Sequence, residues 1–154
     1  NVYGPNEYHK GPQQSVVPQF CKQILETGEA KLFQSHNPNY ADGGQLRDFI
    51  WVGDCVERMI WLSNNPKISG LFNCGTGKAR SFREMAEAVF TALDKPTKIN
   101  YIPTPEGIRN KYQYFTEANM DRLKNAGCNV ATKSIEQGVK CYIEDFLLAA
   151  DPYY

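Results

Sequence analysis

Lys10 is the residue whose type and position point most directly to chemistry. It follows His9 and precedes Gly11 in a polar loop near the start of the chain. A lysine in a closed, partly desolvated site can have its pKa lowered enough to exchange protons near neutral pH. The alternative is a solvated loop lysine, with His9 as a hydrogen-bonded neighbour. Taken alone, these residues favour the solvated loop lysine and make Lys10 no more than the best candidate for proton transfer.

Arg47 and Tyr112 are candidates for ligand binding. Arg47 lies at the edge of an apolar stretch, and its planar guanidinium is suited to phosphate. The alternative is an ion pair with Asp48 or with a residue on a neighbouring strand. Tyr112 could stack on a base or sugar ring, or it could fill the core. The sequence leaves both alternatives open at each position.

The turn Gly75-Thr76-Gly77 imitates the start of a dinucleotide-binding fingerprint, with a predicted strand before it and a helix after it. Arg80 stands where the third glycine would be, and no acidic residue ends a following strand about 20 residues later. Three interpretations remain: a dinucleotide site, a structural turn, or a turn that lines a ligand held elsewhere. The departures favour the structural turn.

Composition and charge exclude several classes of protein. The 154 residues include 17 basic and 17 acidic side chains, so no net charge attracts nucleic acid or a membrane surface. No apolar run approaches the ~20 residues of a membrane span. Two histidines and five scattered cysteines without a Cys-x-x-Cys argue against a metal site or a disulfide framework. We expect no metal, no nucleic-acid or membrane partner, mostly buried cysteines, and a reducing cytoplasmic location.

Hydrophobic periodicity and capping signals predict helices that alternate with short strands. The expected helices cover residues 14–25, 56–63, 82–93, a short segment ending at 127, and 134–148. The expected strands cover residues 1–3, 31–33, 46–52, 70–74 and 99–102, with a surface loop at 36–45. Ser81 with Glu84, and Ser134 with Gln137, have the spacing of capping boxes. The fold class is α/β, with too few long apolar strands for a full doubly wound sheet.

Three blocks together resemble a known superfamily: residues 1–5 (NVYGP), 46–54 (LRDFIWVGD) and 72–77 (FNCGTG). They are similar to the C-terminal half of the extended short-chain dehydrogenases/reductases that act on nucleotide sugars. Residues 8–11 (YHKG) and 111–116 (KYQYFT) resemble the ADP-glycero-manno-heptose 6-epimerases of that superfamily. The resemblance covers nearly the whole chain and implies a single substrate-binding domain over residues 1–154. Such a domain has a few short strands and about five helices, and lacks most of the Rossmann sheet.

The resemblance also implies a reaction and a set of site residues. In the family, NADP removes hydride from C6 of the heptose and returns it to the opposite face. One acid/base group is the tyrosine of a Tyr-x-x-x-Lys motif, and the other is a lysine matching Lys10. Val2 and Lys10 would also contact the cofactor. The implied substrate-binding residues are Asn1, Phe33, Gln34, Ser35, His36, Arg47 and Tyr112, with weaker expectations for Pro12 and Gln19, where the family often has serine and histidine.

Part of the family's machinery has no counterpart in this sequence. No tyrosine is followed four residues later by lysine, and no complete glycine-rich fingerprint occurs. We therefore expect the C-terminal part of a larger enzyme, inactive alone, whose NADP is bound mainly by the other half. An exposed apolar patch and self-association should result, and the complete enzyme should be a homo-oligomer. Two alternatives are a UDP- or GDP-sugar epimerase or dehydratase, and a non-catalytic binding or assembly module.

Overall fold

Short strands and helices alternate along the chain, and the computed structural model describes residues 1–109 and 111–151. The strands are β1 (Val2–Tyr3), β2 (Ala30–Phe33), β3 (Leu46–Arg47), β4 (Ile50–Trp51), β5 (Arg80–Ser81), β6 (Ile99–Ile102) and β7 (Phe115–Thr116). The α-helices are α1 (Val16–Thr27), α2 (Val52–Asn64), α3 (Phe82–Ala92), α4 (Glu106–Arg109), α5 (Asp121–Asn125) and α6 (Ile135–Tyr142). A 3₁₀ segment, Tyr8–Gln13, precedes α1, and a π-helical segment, Ile143–Leu147, continues α6.

The strands form three small sheets within the described residues. β1 pairs in parallel with β4, and β2 pairs in parallel with β6. The third sheet has the order β5-β3-β7, antiparallel between β3 and β5 and parallel between β3 and β7. Parallel pairs require long crossover connections, which the intervening helices supply. The predicted α/β class is confirmed.

The main core lies where α1, α3 and α6 pack together and against the β1–β4 and β2–β6 pairs. Each helix contributes one apolar face, as the periodicity predicts. The helix residues of this core that are buried almost completely include Val17, Ile24, Met85, Val89, Phe90, Val139 and Tyr142. Gly138 of α6 allows β1 to approach closely, because a Cβ there would lie 2.1 Å from the Tyr3 hydroxyl.

Both predicted capping boxes are present. The Ser81 side chain accepts from the Glu84 N–H, and the Glu84 side chain accepts from the Ser81 N–H. Ser134 and Gln137 make the same exchange at the start of α6. Such pairs satisfy two backbone donors that a helix start would otherwise leave without partners. The boundaries of α3 and α6 are therefore local properties of the sequence.

The predicted strand over residues 46–52 is wrong in its extent. The structure divides it into β3 and β4, and α2 begins at Val52 instead of Val56. Asp48 turns inward between the two strands and accepts hydrogen bonds from other segments. Asp54 lies in the first turn of α2, where a carboxylate is favourable, and accepts the Lys133 N–H at 2.8 Å.

The predicted buried strand over residues 70–74 is also wrong. This segment pairs with no strand among residues 1–109 and 111–151, and Leu71 is 83% exposed. Strand propensity forms a strand only where a partner edge exists. Phe72 instead lies under the Arg122 guanidinium, at 5.2 Å from the ring centroid, beside a small second core of Met120, Leu123 and Cys128.

One face of α2 carries the exposed apolar residues expected from the sequence. Val56, Met59 and Ile60 are each about half exposed and recur at helical spacing. An apolar helix face of this kind normally packs on another element. Over the described part of the chain, every helix is too short or too polar to cross a bilayer.

Candidate functional site

The segment that carries Lys10 is held in place by the buried carboxylate of Glu7. One Glu7 oxygen accepts the Ser15 N–H at 2.8 Å, and the other accepts the Ser15 hydroxyl at 2.5 Å and the Tyr142 hydroxyl at 3.1 Å. Burial, together with the negative charge of Glu7, raises the pKa of Tyr142 well above its usual range. Tyr142 therefore remains a proton donor. These bonds fasten the Lys10 segment to the start of α1 and to α6.

Lys10 lines a cavity of about 220 Å³. Its ammonium lies 3.8 Å from a Glu7 oxygen, and its side chain is 46% exposed. Asn1, which precedes β1, and Val2, the first residue of β1, border the same cavity. The cavity brings together three of the residues predicted to meet substrate or cofactor. The expected desolvation of Lys10 is not seen, because nearly half of the side chain is open to solvent.

Tyr112 lines a second cavity, of about 230 Å³, which adjoins the first because Val16 and Phe82 border both. Its wall combines aromatic side chains with amides and one ammonium group. The lining residues include Gln19, Phe20, Gln23, Lys31, Phe33, Gln45 and Tyr112. Aromatic rings and amides suit a ligand that has both a flat face and many hydroxyl groups. Gln19, Phe33 and Tyr112 among these are predicted substrate residues.

Arg47 forms part of the support behind the second cavity. Its guanidinium lies 5.7 Å from the ring centroids of both Phe82 and Tyr112, and it donates to the backbone carbonyls of Leu46 and Gln113. The residue is 9% exposed, and burial lowers the pKa of its guanidinium, although an arginine stays charged in proteins. Three of its five N–H donors make no recorded hydrogen bond within the described residues.

The alternative interpretation of Arg47 as an ion-pair partner is wrong. No carboxylate of residues 1–109 or 111–151 lies within ion-pair distance of Arg47, and its cross-strand neighbour is Arg80. Asp48 bonds elsewhere. Tyr112 packs edge-on against Phe33 and also lines the cavity, so the stacking role stays a prediction beside the packing role. Burial raises the pKa of Tyr112, so its hydroxyl stays protonated at neutral pH.

Asp48 fixes the glycine turn from inside the protein. Its carboxylate accepts the Thr76 N–H at 2.7 Å, the Thr76 hydroxyl at 2.5 Å, the Gly77 N–H at 2.9 Å and the Ala118 N–H at 3.1 Å. A Cβ at Gly75 would lie 2.5 Å from an Asp48 oxygen. Because the turn's amides already have an anionic partner, they do not form a phosphate cradle. The structure supports the structural interpretation of this turn.

The remaining predicted site residues line neither cavity. Pro12 is exposed in the 3₁₀ segment. Gln34 donates its N–H to the carbonyl of Ile102. Ser35 donates from its hydroxyl to Asn37, and the His36 N–H donates to the Tyr114 hydroxyl at 2.8 Å. The last three follow directly after β2, whose final residue Phe33 lines the second cavity.

Among residues 1–109 and 111–151, four buried charged residues were not predicted as structural anchors. They are Glu7, Asp48, Asp54 and Arg58, and each is less than 7% exposed. Arg58 donates to the carbonyl of Gly75, in the same turn whose Thr76 and Gly77 amides bond Asp48. A charged residue within an apolar stretch, as at Asp48, is a signal of buried bonding. No comparable local signal exists for Glu7.

Comparison with known families supports the resemblance seen in the sequence. Residues 1–75 match the NAD dependent epimerase/dehydratase family. A curated ADP-L-glycero-D-manno-heptose-6-epimerase of Nitratidesulfovibrio vulgaris (strain DP4) is 54% identical over 153 residues, which cover 99% of this chain and 47% of the relative. The enzyme of the same name from Fusobacterium nucleatum is 43% identical, over 99% of this chain and 48% of the relative. The chain therefore spans about half the length of these curated relatives.

Solved structures give the same result for the fold. The ADP-L-glycero-D-manno-heptose-6-epimerase of Helicobacter pylori superposes with a TM-score of 0.74 at 27% identity, over 94% of this chain and 41% of that one. A Thermus thermophilus UDP-glucose 4-epimerase, solved in complex with NAD, superposes with a TM-score of 0.71 at 24% identity, over 97% of this chain and 45% of that one. The predicted resemblance to the extended short-chain dehydrogenases/reductases is confirmed.

The hydrogen bonds of Asp48 lead to a prediction about stability and pH. Burial alone would raise the pKa of Asp48, but the bonds from Thr76, Ala118 and Gly77 outweigh burial and lower it below its ordinary value of 3.8. Stabilisation by Asp48 is therefore complete above about pH 4 and is lost as the pH falls through the lower folded-state pKa. Asp48→Asn should reduce the free energy of unfolding at pH 7 by about 2 kcal/mol, because several donors lose their anionic acceptor.

Urea denaturation at pH 7 and pH 3 measures this effect. Asp94→Asn is the matched control, since Asp94 is exposed and has a positive φ that asparagine tolerates. The gap in stability between the natural chain and Asp48→Asn should narrow at pH 3, and Asp94→Asn should change little. An Asp48→Asn chain as stable at pH 7 as the control would show that this carboxylate does not hold the turn.

Proposed function

We propose that residues 1–154 form a single substrate-binding unit of a nucleotide-sugar epimerase. This enzyme inverts C6 of ADP-glycero-manno-heptose through transient oxidation by NADP, in the synthesis of the heptose precursor of the lipopolysaccharide inner core. The observation that carries the proposal is the pair of adjoining cavities, with Asn1, Val2 and Lys10 around one and Phe33 and Tyr112 around the other. The names of the relatives at 43–54% identity support the choice of sugar.

Each of the two cavities would bind a different part of the substrate. The second cavity offers the faces of Phe33 and Tyr112 and several amide groups, which suit a ring bearing hydroxyl groups. Arg47 packs against Tyr112, and three of its N–H donors have no partner among residues 1–109 and 111–151 and could bind the diphosphate. Lys10 in the first cavity would exchange a proton with the reacting part of the sugar. Its contact with Glu7 keeps the ammonium at the cavity wall.

We expect NADP to contact this chain mainly at Val2, beside the Lys10 cavity. Val2 is half exposed and borders the Lys10 cavity, so it can contact a cofactor that lies there. The amides of Thr76 and Gly77 are bonded to Asp48, so the Gly75–Gly77 turn offers the cofactor no diphosphate cradle. When bound, NADP would supply the reversible hydride acceptor. Residues outside this chain would provide most of its binding site and the second acid/base group.

The rest of the proposed enzyme would cover the apolar face of α2. Val56, Met59 and Ile60 lie on that face, and their exposure fits a chain that spans about half of its relatives. The 154-residue chain alone would then be inactive and would self-associate through this face. The complete enzyme would be a cytoplasmic homo-oligomer.

A chimeric enzyme tests the proposed function. Residues 1–154 would replace the matching region of the Nitratidesulfovibrio vulgaris relative, which is 54% identical over 153 residues. The chimera should epimerise ADP-glycero-manno-heptose in the presence of NADP, since the similarity extends over nearly the whole chain. Product formation is measured by chromatography of the two C6 epimers, with the unmodified relative as the control.

Two outcomes would favour the alternatives. Turnover of a UDP- or GDP-sugar, without turnover of the ADP-heptose, would support a different substrate within the superfamily. A folded chimera that turns over none of these sugars would support a non-catalytic binding or assembly module. Circular dichroism of the chimera distinguishes loss of activity from loss of the fold.

Lys10→Met in the chimera should abolish most of the turnover. Removal of a general acid or base lowers kcat by about 10²- to 10⁴-fold, and the binding of the ADP-heptose should change little. Lys22→Met is the matched control, because Lys22 is an exposed lysine with a similar ion pair, 3.9 Å from Glu26. Near-normal kcat in Lys10→Met would remove Lys10 from the mechanism.

Arg47→Ala in the chimera should raise KM for the ADP-heptose. Loss of a charge-assisted hydrogen bond to the diphosphate corresponds to roughly a tenfold or larger effect. Arg83→Ala serves as control, since Arg83 lies over Tyr101, at 5.3 Å, which borders neither cavity, whereas Arg47 lies over Phe82 and Tyr112 of the second cavity. Because Arg47 is buried, circular dichroism must show an intact fold. An unchanged KM in a folded variant would argue against phosphate binding.

A further inference from the structure

Two thiols lie side by side outside the two cavities. Cys55 and Arg58 lie one turn apart on the buried face of α2, and Cys55 neighbours Cys74, which precedes the Gly75–Gly77 turn. Arg58, one helical turn after Cys55, contacts the Cys74 Sγ from Nη1 at 3.7 Å and donates to the carbonyl of Gly75. The packing of α2 against the segment before the turn therefore holds the two sulfurs together.

The two thiols differ in exposure, and this difference sets the order in which they can react. Cys74 is exposed, whereas Cys55 is buried. Burial, followed by the proximity of Cys74, raises the pKa of the Cys55 thiol to about 12. An oxidant from solvent must therefore meet Cys74 first, and the protonated Cys55 thiol must give up its proton as it attacks the oxidised sulfur.

We propose that Cys55 and Cys74 form a reversible disulfide when the protein meets a hydroperoxide. The Cys74 sulfur attacks the peroxide oxygen, the O–O bond breaks, and Cys74 becomes a sulfenic acid as the alcohol or water leaves. The Cys55 sulfur then attacks the Cys74 sulfur, the S–O bond breaks, and water leaves. Two electrons pass from the sulfurs to the peroxide, and the two thiol protons end in the two leaving molecules.

The disulfide would tie α2 covalently to the segment that Arg58 now holds by one contact and one hydrogen bond. It is independent of the proposed function, because neither thiol borders the Lys10 or the Tyr112 cavity. The other three cysteines provide internal comparisons. Cys21 and Cys128 are buried, and Cys141 donates to Asp145 at 3.1 Å.

Mass spectrometry of the 154-residue chain tests the proposal. The folded chain is treated with hydrogen peroxide, its remaining thiols are blocked, and it is digested with trypsin without reductant. We expect a linked pair of peptides, residues 48–58 and 68–78, that separates on reduction. Cys74→Ser should remove the linked pair, while Cys128→Ser, a matched change of a buried cysteine, should leave it.

Cys55→Ser separates the two chemical steps. Without Cys55 the sulfenic acid of Cys74 should persist, so its trapping by dimedone should rise several-fold over the natural chain. Oxidation of Cys74 with no linked pair, or links from Cys74 mainly to other cysteines or other chains, would overturn the proposal. Equal dimedone trapping in Cys55→Ser and the natural chain would overturn it as well. Circular dichroism before treatment shows that each variant is folded.

Discussion

The arrangement of the candidate site depends on one buried carboxylate, that of Glu7. It accepts hydrogen bonds from Ser15 and Tyr142 and lies beside the ammonium of Lys10. A buried carboxylate is stable only when donors surround it, so the segment that carries Lys10 cannot move without exposing Glu7 or leaving it unpaired. The position of Lys10 at the cavity wall thus follows from contacts made by its neighbour, and its own side chain stays partly free.

A second buried carboxylate, Asp48, organises the Gly75–Gly77 turn that precedes β5. It collects the amides of Thr76 and Gly77, while Arg58 holds the carbonyl side of the same turn. The turn therefore has a structural charge partner, which explains why a glycine-rich sequence between an extended segment and a helix does not form a nucleotide cradle here. A motif of this length becomes informative only when the partners of its backbone groups are known.

Local signals in the sequence correctly predicted the starts of α3 and α6, which are set by hydrogen bonds between residues close together in the chain. The start of α3 follows from Ser81 and Glu84, three residues apart, and its buried face follows from helical periodicity. The errors arose where contacts between residues far apart in the sequence determine the structure. Asp54, in the first turn of α2, accepts a hydrogen bond from a residue 79 positions away. Glu7 accepts a hydrogen bond from Tyr142, 135 positions away. The sequence predicted residues of the candidate site, but it did not predict the two cavities that several of them line. Which of those residues face a cavity depends on the packing of α1 against β2 and α3.

The central claim is that a sugar nucleotide lies across the two adjoining cavities, between Lys10 and Tyr112. Titration of the ¹⁵N-labelled 154-residue chain with ADP-glycero-manno-heptose, at concentrations high enough for weak binding, tests it most directly by NMR. Binding across both cavities predicts chemical-shift changes concentrated at Lys10, Gln19, Phe33 and Tyr112. Saturable changes confined to other surfaces, with these four amides unaffected, would contradict it.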